Sequence, residues 1–196
     1  MKTDALAAQI DFIVEVDKLK QVLRQTLLIS DCRQENDAEH SWHLALMACL
    51  LAGHAAAEID LLRAVKMLLI HDVVEIDAGD TFAYDTQGNE NRIERERAAA
   101  ARLFGMLPPD QAEEYRSLWE EFEERETPEA KFAAAMDRFQ PILLNYCAGG
   151  ETWRRHGVKR AEVVARNRHI AEGAPALWEA AEQLITKAVA EGKLEE

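Results

Sequence analysis

Apolar positions recur along this chain at intervals of three and four, and no stretch alternates as a half-buried strand would. Leu6, Ile10, Ile13 and Val14 open an amphipathic helix that continues through residues 17–23 and ends near Arg24-Gln25-Thr26. Residues 26–35 read as a connecting loop. Asn36-Asp37-Ala38-Glu39 has the form of a capping box, an Asn cap with Glu at the third helical position, and predicts a helix over about 37–57. Asp60 can cap a further helix over about 61–77, and Gly79 stands where that helix should stop. Residues 81–89 read as a loop. A charged helix over about 90–106 is closed by Pro108-Pro109, and an acidic one follows over 110–126. Thr127-Pro128-Glu129 starts another, with Thr as cap and Pro in the first turn, running through KFAAAMDRFQPILLNYC. After Gly149-Gly150, helices are predicted over about 158–171 and 175–191. No repeat or long linker interrupts the pattern, so the expectation is one all-α domain over residues 1–196.

Composition narrows the class. Of the 196 residues, 48% are hydrophobic and 30% charged, the profile of a globular domain with a real core. Cys32, Cys49 and Cys147 are odd in number and lack a CxxC pattern, which fits reduced thiols in the cytoplasm. The N-terminus carries Asp4 and no long apolar run, so no signal peptide is expected, and no stretch is long and apolar enough to span a membrane. A formal charge of −13 repels polyanions and disfavours nucleic-acid binding. A small phosphate ester remains compatible with it if a bound divalent cation makes the site locally positive.

The stretch LLIHDVVEIDAGD, residues 68–80, puts an imidazole and four carboxylates into an apolar run. On a helical wheel Glu75 falls about 40° and Asp72 about 100° from His71, while leucines, valines and Ile70 fill nearly every other direction. A helix apolar on most of its circumference is buried on most of it. A buried, unpaired carboxylate has its pKa raised by about 3–5 units, roughly 4–7 kcal/mol, against a typical domain stability of about 5–15 kcal/mol. Nothing basic follows Lys66 within this segment, so a bound cation is the simpler compensation. His40, beside Glu39 near the start of its helix, and Asp137, set among alanines and four residues before Pro141, are candidates to complete such a site. Each also has a bland reading, His40 as a core histidine and Asp137 as a structural acid. His43, His54, His156 and His169 are read as structural. Two imidazoles and two carboxylates suit Mn²⁺, Fe²⁺, Co²⁺, Ni²⁺ or Zn²⁺, with Mg²⁺ possible.

Glu39-His40-Ser41-Trp42, His71-Asp72 and Asp137 resemble the H…HD…D pattern of the HD-domain metal-dependent phosphohydrolases. The short single-domain branch that includes the bacterial 5'-deoxynucleotidases is most similar. It carries an Arg after the first helix, an EN-x-x-EH-S segment and HD-x-x-E-x-x-x-GD, matched here by Arg24, residues 35–41 and residues 71–80. The resemblance covers roughly residues 15–150.

The resemblance implies that His40, His71, Asp72 and Asp137 hold one divalent metal. It further implies that Glu75 acts on the water or the leaving group, that Asp80 helps to place the substrate, and that Arg24 contacts the nucleotide phosphate. The implied activity is removal of phosphate from (deoxy)nucleoside 5'-monophosphates by a cytoplasmic homodimer. Gln25 departs from the pattern, standing where the deoxynucleotidases carry a Trp that seats the substrate. Nothing after Trp153 matches a motif, although Leu177, Trp178, Leu184 and Ile185 could complete the core or form a dimer surface. Hydrolysis of another phosphoester or pyrophosphate, and a non-catalytic helical metal-binding protein, are the alternative readings.

Overall fold

The structure, a computed structural model, describes residues 2–80 and 91–196, so the loop expected over 81–89 lies outside the described residues. Helices account for most of the chain, as the periodicity predicts. They are α1 (Lys2–Val16), α2 (Asp37–Leu51), α3 (Leu61–Ile70), α4 (Glu75–Ala78), α5 (Arg92–Phe104), α6 (Pro109–Glu124), α7 (Pro128–Cys147), α8 (Glu151–Arg155), α9 (Arg160–Asn167), α10 (Ile170–Gly173) and α11 (Pro175–Ala190).

Local chemistry sets the boundaries. Asn36 accepts the Glu39 backbone N–H at 3.0 Å while the Glu39 carboxylate accepts that of Asn36 at 3.1 Å, so the predicted capping box opens α2. Asp60 accepts the Arg63 N–H at 3.1 Å, and Thr127 accepts that of Ala130 at 3.2 Å. Gly79 takes a positive φ of 75° and ends α4.

Two expectations are corrected. Residues 26–35 are not simply a loop: β1 (Leu23–Leu27) and β2 (Gln34–Asn36) pair antiparallel, with Leu23 opposite Asn36 and Leu27 opposite Gln34. A three-residue strand is too short to show a period of two, and the burial of β1 does not alternate. The helix expected over 61–77 is also not uniform, because residues His71–Val74 tighten into a 3-10 turn between α3 and α4.

The core is built around α7, which packs against α2, α3, α6, α10 and α11. Its alanines, Ala130, Ala133, Ala134 and Ala135, are buried and let neighbouring backbones come close. Gly173 on α10 approaches so nearly that an added Cβ would run into the Lys131 backbone. Leu177 and Ile185 are buried, with Trp178 and Leu184 partly buried and packed beside them, so the apolar residues of α11 help to complete the core. In α1 the inward residues are Phe12 and Val16, while Leu6, Ile10, Ile13 and Val14 remain exposed. Cys32, Cys49 and Cys147 are exposed free thiols. No described helix is long and apolar enough to cross a membrane.

Candidate metal centre

The 3-10 turn determines which side chains share a face. At three residues per turn, i and i+3 eclipse, so Asp72 and Glu75 project in nearly the same direction, unlike their roughly 60° separation on a regular α-helix. Both line one cavity together with Asp80, Asp137 and Arg24. His71 points into an adjoining cavity beside Phe122, with ring centroids 4.9 Å apart.

His40 from α2, His71 and Asp72 from the 3-10 turn, and Asp137 from α7 converge there. Their exposures are 0, 4, 7 and 8% respectively, so water contributes little to their solvation. His40 Nε2 lies 3.0 Å from Asp137 Oδ1 and 3.9 Å from Asp72 Oδ2. His71 Nε2 lies 3.1 Å from Asp72 Oδ1 and 3.7 Å from Asp137 Oδ1. One ligating atom from each of His40, His71 and Asp72 lies within 4.8 Å of the others. Donors about 2.0–2.2 Å from a common ion stand roughly 3–4 Å apart, so the spacing fits a divalent metal.

The imidazoles are aimed for this role. His71 Nδ1 is 2.9 Å from the Leu68 carbonyl, to which its N–H donates, and Nε2 is buried with no hydrogen-bond partner among the described residues. His40 Nδ1 faces Glu35 Oε2 at 3.5 Å, and Glu35 is itself held by Gln140, whose Nε2 donates to Oε1 at 2.6 Å. An outer carboxylate on one ring nitrogen directs the lone pair of the other toward a metal. Gln140 lies one helical turn beyond Asp137, so α7 supplies both a candidate ligand and the support of another.

The charges are organised around Arg24, which β1 delivers to the site. Its Nη1 donates to Asp37 at 3.0 Å and to Asp72 at 2.8 Å. Asp72 therefore has a basic partner from outside its own segment, which the sequence did not disclose. Arg138 Nε also lies 3.5 Å from Asp137 Oδ2. Burial would raise both carboxyls. The charges of His71 and Arg24 hold Asp72 well down instead, while Arg138, His40 and His71 hold Asp137 far below the usual range. Against burial, Asp72 and Asp137 push His71 up to about 10. Burial, reinforced by the charges of Asp72, Asp37 and Asp80, raises Glu75 well above an ordinary carboxyl. Asp80 is also raised, by burial, although Arg24 opposes this, and it shares a hydrogen bond with Glu75. The site thus sets the Asp72 and Asp137 carboxyls, both held low, on the same cavity wall as a Glu75 carboxyl that is pushed up.

All seven residues singled out from the sequence lie in or against this centre. Sequence reasoning missed Asp37, which is fully buried and pushed up to about 7 by burial and the Asp72 charge. It also missed the support from Glu35 and Gln140, and the cavity wall supplied by Arg92, Arg138, Trp153, Arg166 and Asn167. A signal for Gln140 existed in its spacing of three from Asp137. Of the residues read as structural, His43 lies 3.4 Å from Gln140 and His54 and His156 are exposed, whereas His169 lines a separate groove.

Comparison with known proteins agrees with this geometry. The HD-domain family pattern matches residues 16–178. Over 135 residues the chain is 30% identical to the 5'-deoxynucleotidase HDDC2 of Xenopus laevis and to that of Homo sapiens, covering 68% of this chain. The match spans 66% and 65% of those proteins, just under two thirds of their length. A crystal structure of a predicted metal-dependent phosphohydrolase from Magnetospirillum magnetotacticum is 54% identical and superposes with a TM-score of 0.96, covering 100% of this chain and 98% of that one. A buried His/His/Asp cluster suited to a divalent ion, in a helical bundle of this kind, identifies the chain as a member of the HD-domain family of metal-dependent phosphohydrolases.

Proposed function

We propose that this chain is a 5'-nucleotidase that removes phosphate from (deoxy)nucleoside 5'-monophosphates, with His40, His71, Asp72 and Asp137 holding one divalent ion. The observation that carries this reading is that Arg24, Glu75 and Asp80 open on the same cavity as the carboxylates of Asp72 and Asp137. The deoxynucleotidase activity named for the Xenopus and human relatives supports it.

A divalent ion bound by these residues supplies Lewis-acid chemistry, offsetting phosphate charge and acidifying water. The protein groups do the rest. Arg24, immobilised by Asp37 and Asp72, places a fixed positive charge beside the phosphate oxygens, where charge develops as the new oxygen–phosphorus bond forms. As the ester bond to the 5'-oxygen breaks, Glu75, whose carboxyl is pushed up by burial, gives its proton to the departing alkoxide and regains one from the attacking water. Asp80, hydrogen-bonded to Glu75, holds that carboxyl in place and offers an acceptor to a sugar hydroxyl. Trp153 lines the cavity with Gln25, and the neighbouring Thr152 hydroxyl donates to the Gln25 carbonyl at 3.0 Å.

The test is phosphate release from ribo- and deoxyribonucleoside 5'-monophosphates with Mn²⁺, Co²⁺ or Mg²⁺, set against phosphodiesters. Turnover of the monophosphates that chelation abolishes is expected. Turnover of phosphodiesters alone would overturn the assignment.

A further inference from the structure

The hairpin that carries Arg24 is irregular where Arg24 sits. From Leu23 to Leu27 β1 advances four residues, while its partner advances only two, from Asn36 to Gln34. Arg24, Gln25 and Thr26 fall inside that irregular stretch, where the spare residues of β1 lack opposite numbers on β2. Side chains fasten the backbone there. The Arg24 carbonyl accepts the Gln34 Nε2 N–H at 2.8 Å, and the Gln25 carbonyl accepts the Thr152 hydroxyl at 3.0 Å. Gln34 belongs to the same hairpin, so its bond holds the hairpin to itself. Thr152 lies 127 positions away on α8 and ties the segment to the helical frame.

Thr152 is itself held firmly. It is buried, beside the buried Trp153, and α8 packs against β1. Gly150, just before α8, takes a φ of 74° and donates its N–H to the Asn145 carbonyl at 2.7 Å. The Lys193 backbone lies so close to Gly150 that an added Cβ would run into it. The hydroxyl is therefore presented from a corner packed by the end of α7 on one side and by the segment after α11 on the other.

We infer that Thr152 is a positioning residue: through the Gln25 carbonyl it fixes the backbone from which Arg24 reaches the cavity, and so sets where the guanidinium meets a phosphate group. The ion pairs to Asp37 and Asp72 hold the charge of Arg24, whereas the peptide that carries the side chain sets its approach. A misplacement of about 1 Å in a positioning group can cost about 10²-fold in rate. The inference rests on the proposed role of Arg24 as the phosphate contact.

Thr152→Val keeps the shape of the side chain and removes the hydroxyl, whereas Thr152→Ser keeps the hydroxyl. Calorimetry measures orthophosphate binding to the full chain saturated with Mn²⁺. It compares the wild type, both Thr152 variants, Arg24→Gln, and Arg24→Gln combined with Thr152→Val. Thr152→Val should weaken orthophosphate at least about fivefold and Thr152→Ser less than about twofold. In the Arg24→Gln background Thr152→Val should cost less than about twofold, because no guanidinium remains to be placed. General structural damage would instead multiply through both backgrounds. Should Arg24→Gln fail to fold, Arg24→Lys replaces it under the same criterion, since a point charge on a flexible stem depends less on the direction of approach. Unchanged affinity in Thr152→Val, or an equal loss with and without Arg24, would overturn the inference and leave the nucleotidase reading standing. Orthophosphate binding that Arg24→Gln leaves intact would remove Arg24 from the phosphate and the inference with it. The expected binding pattern without turnover of any nucleoside monophosphate would remove the nucleotidase reading and keep the inference.

Discussion

His40 Nε2 and Asp137 Oδ1 stand 3.0 Å apart although 97 positions separate them in the chain. That contact joins the first turn of α2 to the middle of α7 and closes the ring of candidate ligands. Asp137→Ala removes a ligand outright, whereas Glu35→Gln removes only the carboxylate behind His40. Loss of an outer partner typically reduces metal affinity about 10–100-fold. Glu35→Gln is expected in that range and Asp137→Ala beyond it, by equilibrium dialysis against Mn²⁺. Equal losses would show that Asp137 is not a ligand.

Glu75 separates catalysis from metal binding. Glu75→Gln keeps the shape of the side chain but cannot donate an acidic proton. Metal content should remain near that of the wild type, while kcat falls at least about 10²-fold. Single-turnover assays alongside elemental analysis read both quantities. Full turnover in the variant would remove Glu75 from the chemistry.

Stability of the chelated protein should fall as pH rises. Asp37 is pushed up to about 7 by burial and by the Asp72 charge, so the folded chain holds that proton more tightly than the unfolded chain does. His71 behaves likewise: burial would lower it, but Asp72 and Asp137 raise it to about 10. Protons held more tightly in the folded state stabilise it fully below the unfolded values, and that contribution is lost as pH climbs through the folded ones. The window is therefore about pH 4 to 7 for Asp37 and about 6.5 to 10 for His71. Metal binding requires deprotonated ligands and strengthens over the same range. Thermal melts from pH 5 to 8 should show the gap in Tm between metal-loaded and chelated protein widening with pH. A constant or narrowing gap would contradict the assigned protonation states.

Much of the helical frame was legible because it rests on local chemistry. Asn36 with Glu39, Asp60, Thr127 and Gly79 mark boundaries that side-chain caps and a positive φ enforce directly. The hairpin was not legible. β2 is three residues long, and its pairing with β1 depends on backbone bonds that leave no periodic trace. Missing the hairpin meant missing how Arg24 reaches Asp37 and Asp72, since β1 carries it there. Asp72, His71 and Glu75 were found through an imbalance, buried charge in an apolar run. The 3-10 turn that aligns Asp72 with Glu75 depends on tertiary packing and is invisible to a wheel drawn at a fixed 100° per residue. The arginines of the cavity wall come from α5, α7 and α9, and only the folded chain shows that they meet.

The central claim is that a cation sits among His40, His71, Asp72 and Asp137. Calorimetric titration of the chelated protein with Mn²⁺ at pH 7, in buffers of different ionisation enthalpy, tests it most directly. The account predicts one saturable site per chain, binding coupled to proton release as His71 and His40, both raised above an ordinary imidazole, give up theirs, and loss of that site in Asp72→Asn. No saturable heat, or a site that Asp72→Asn leaves unchanged, would contradict it.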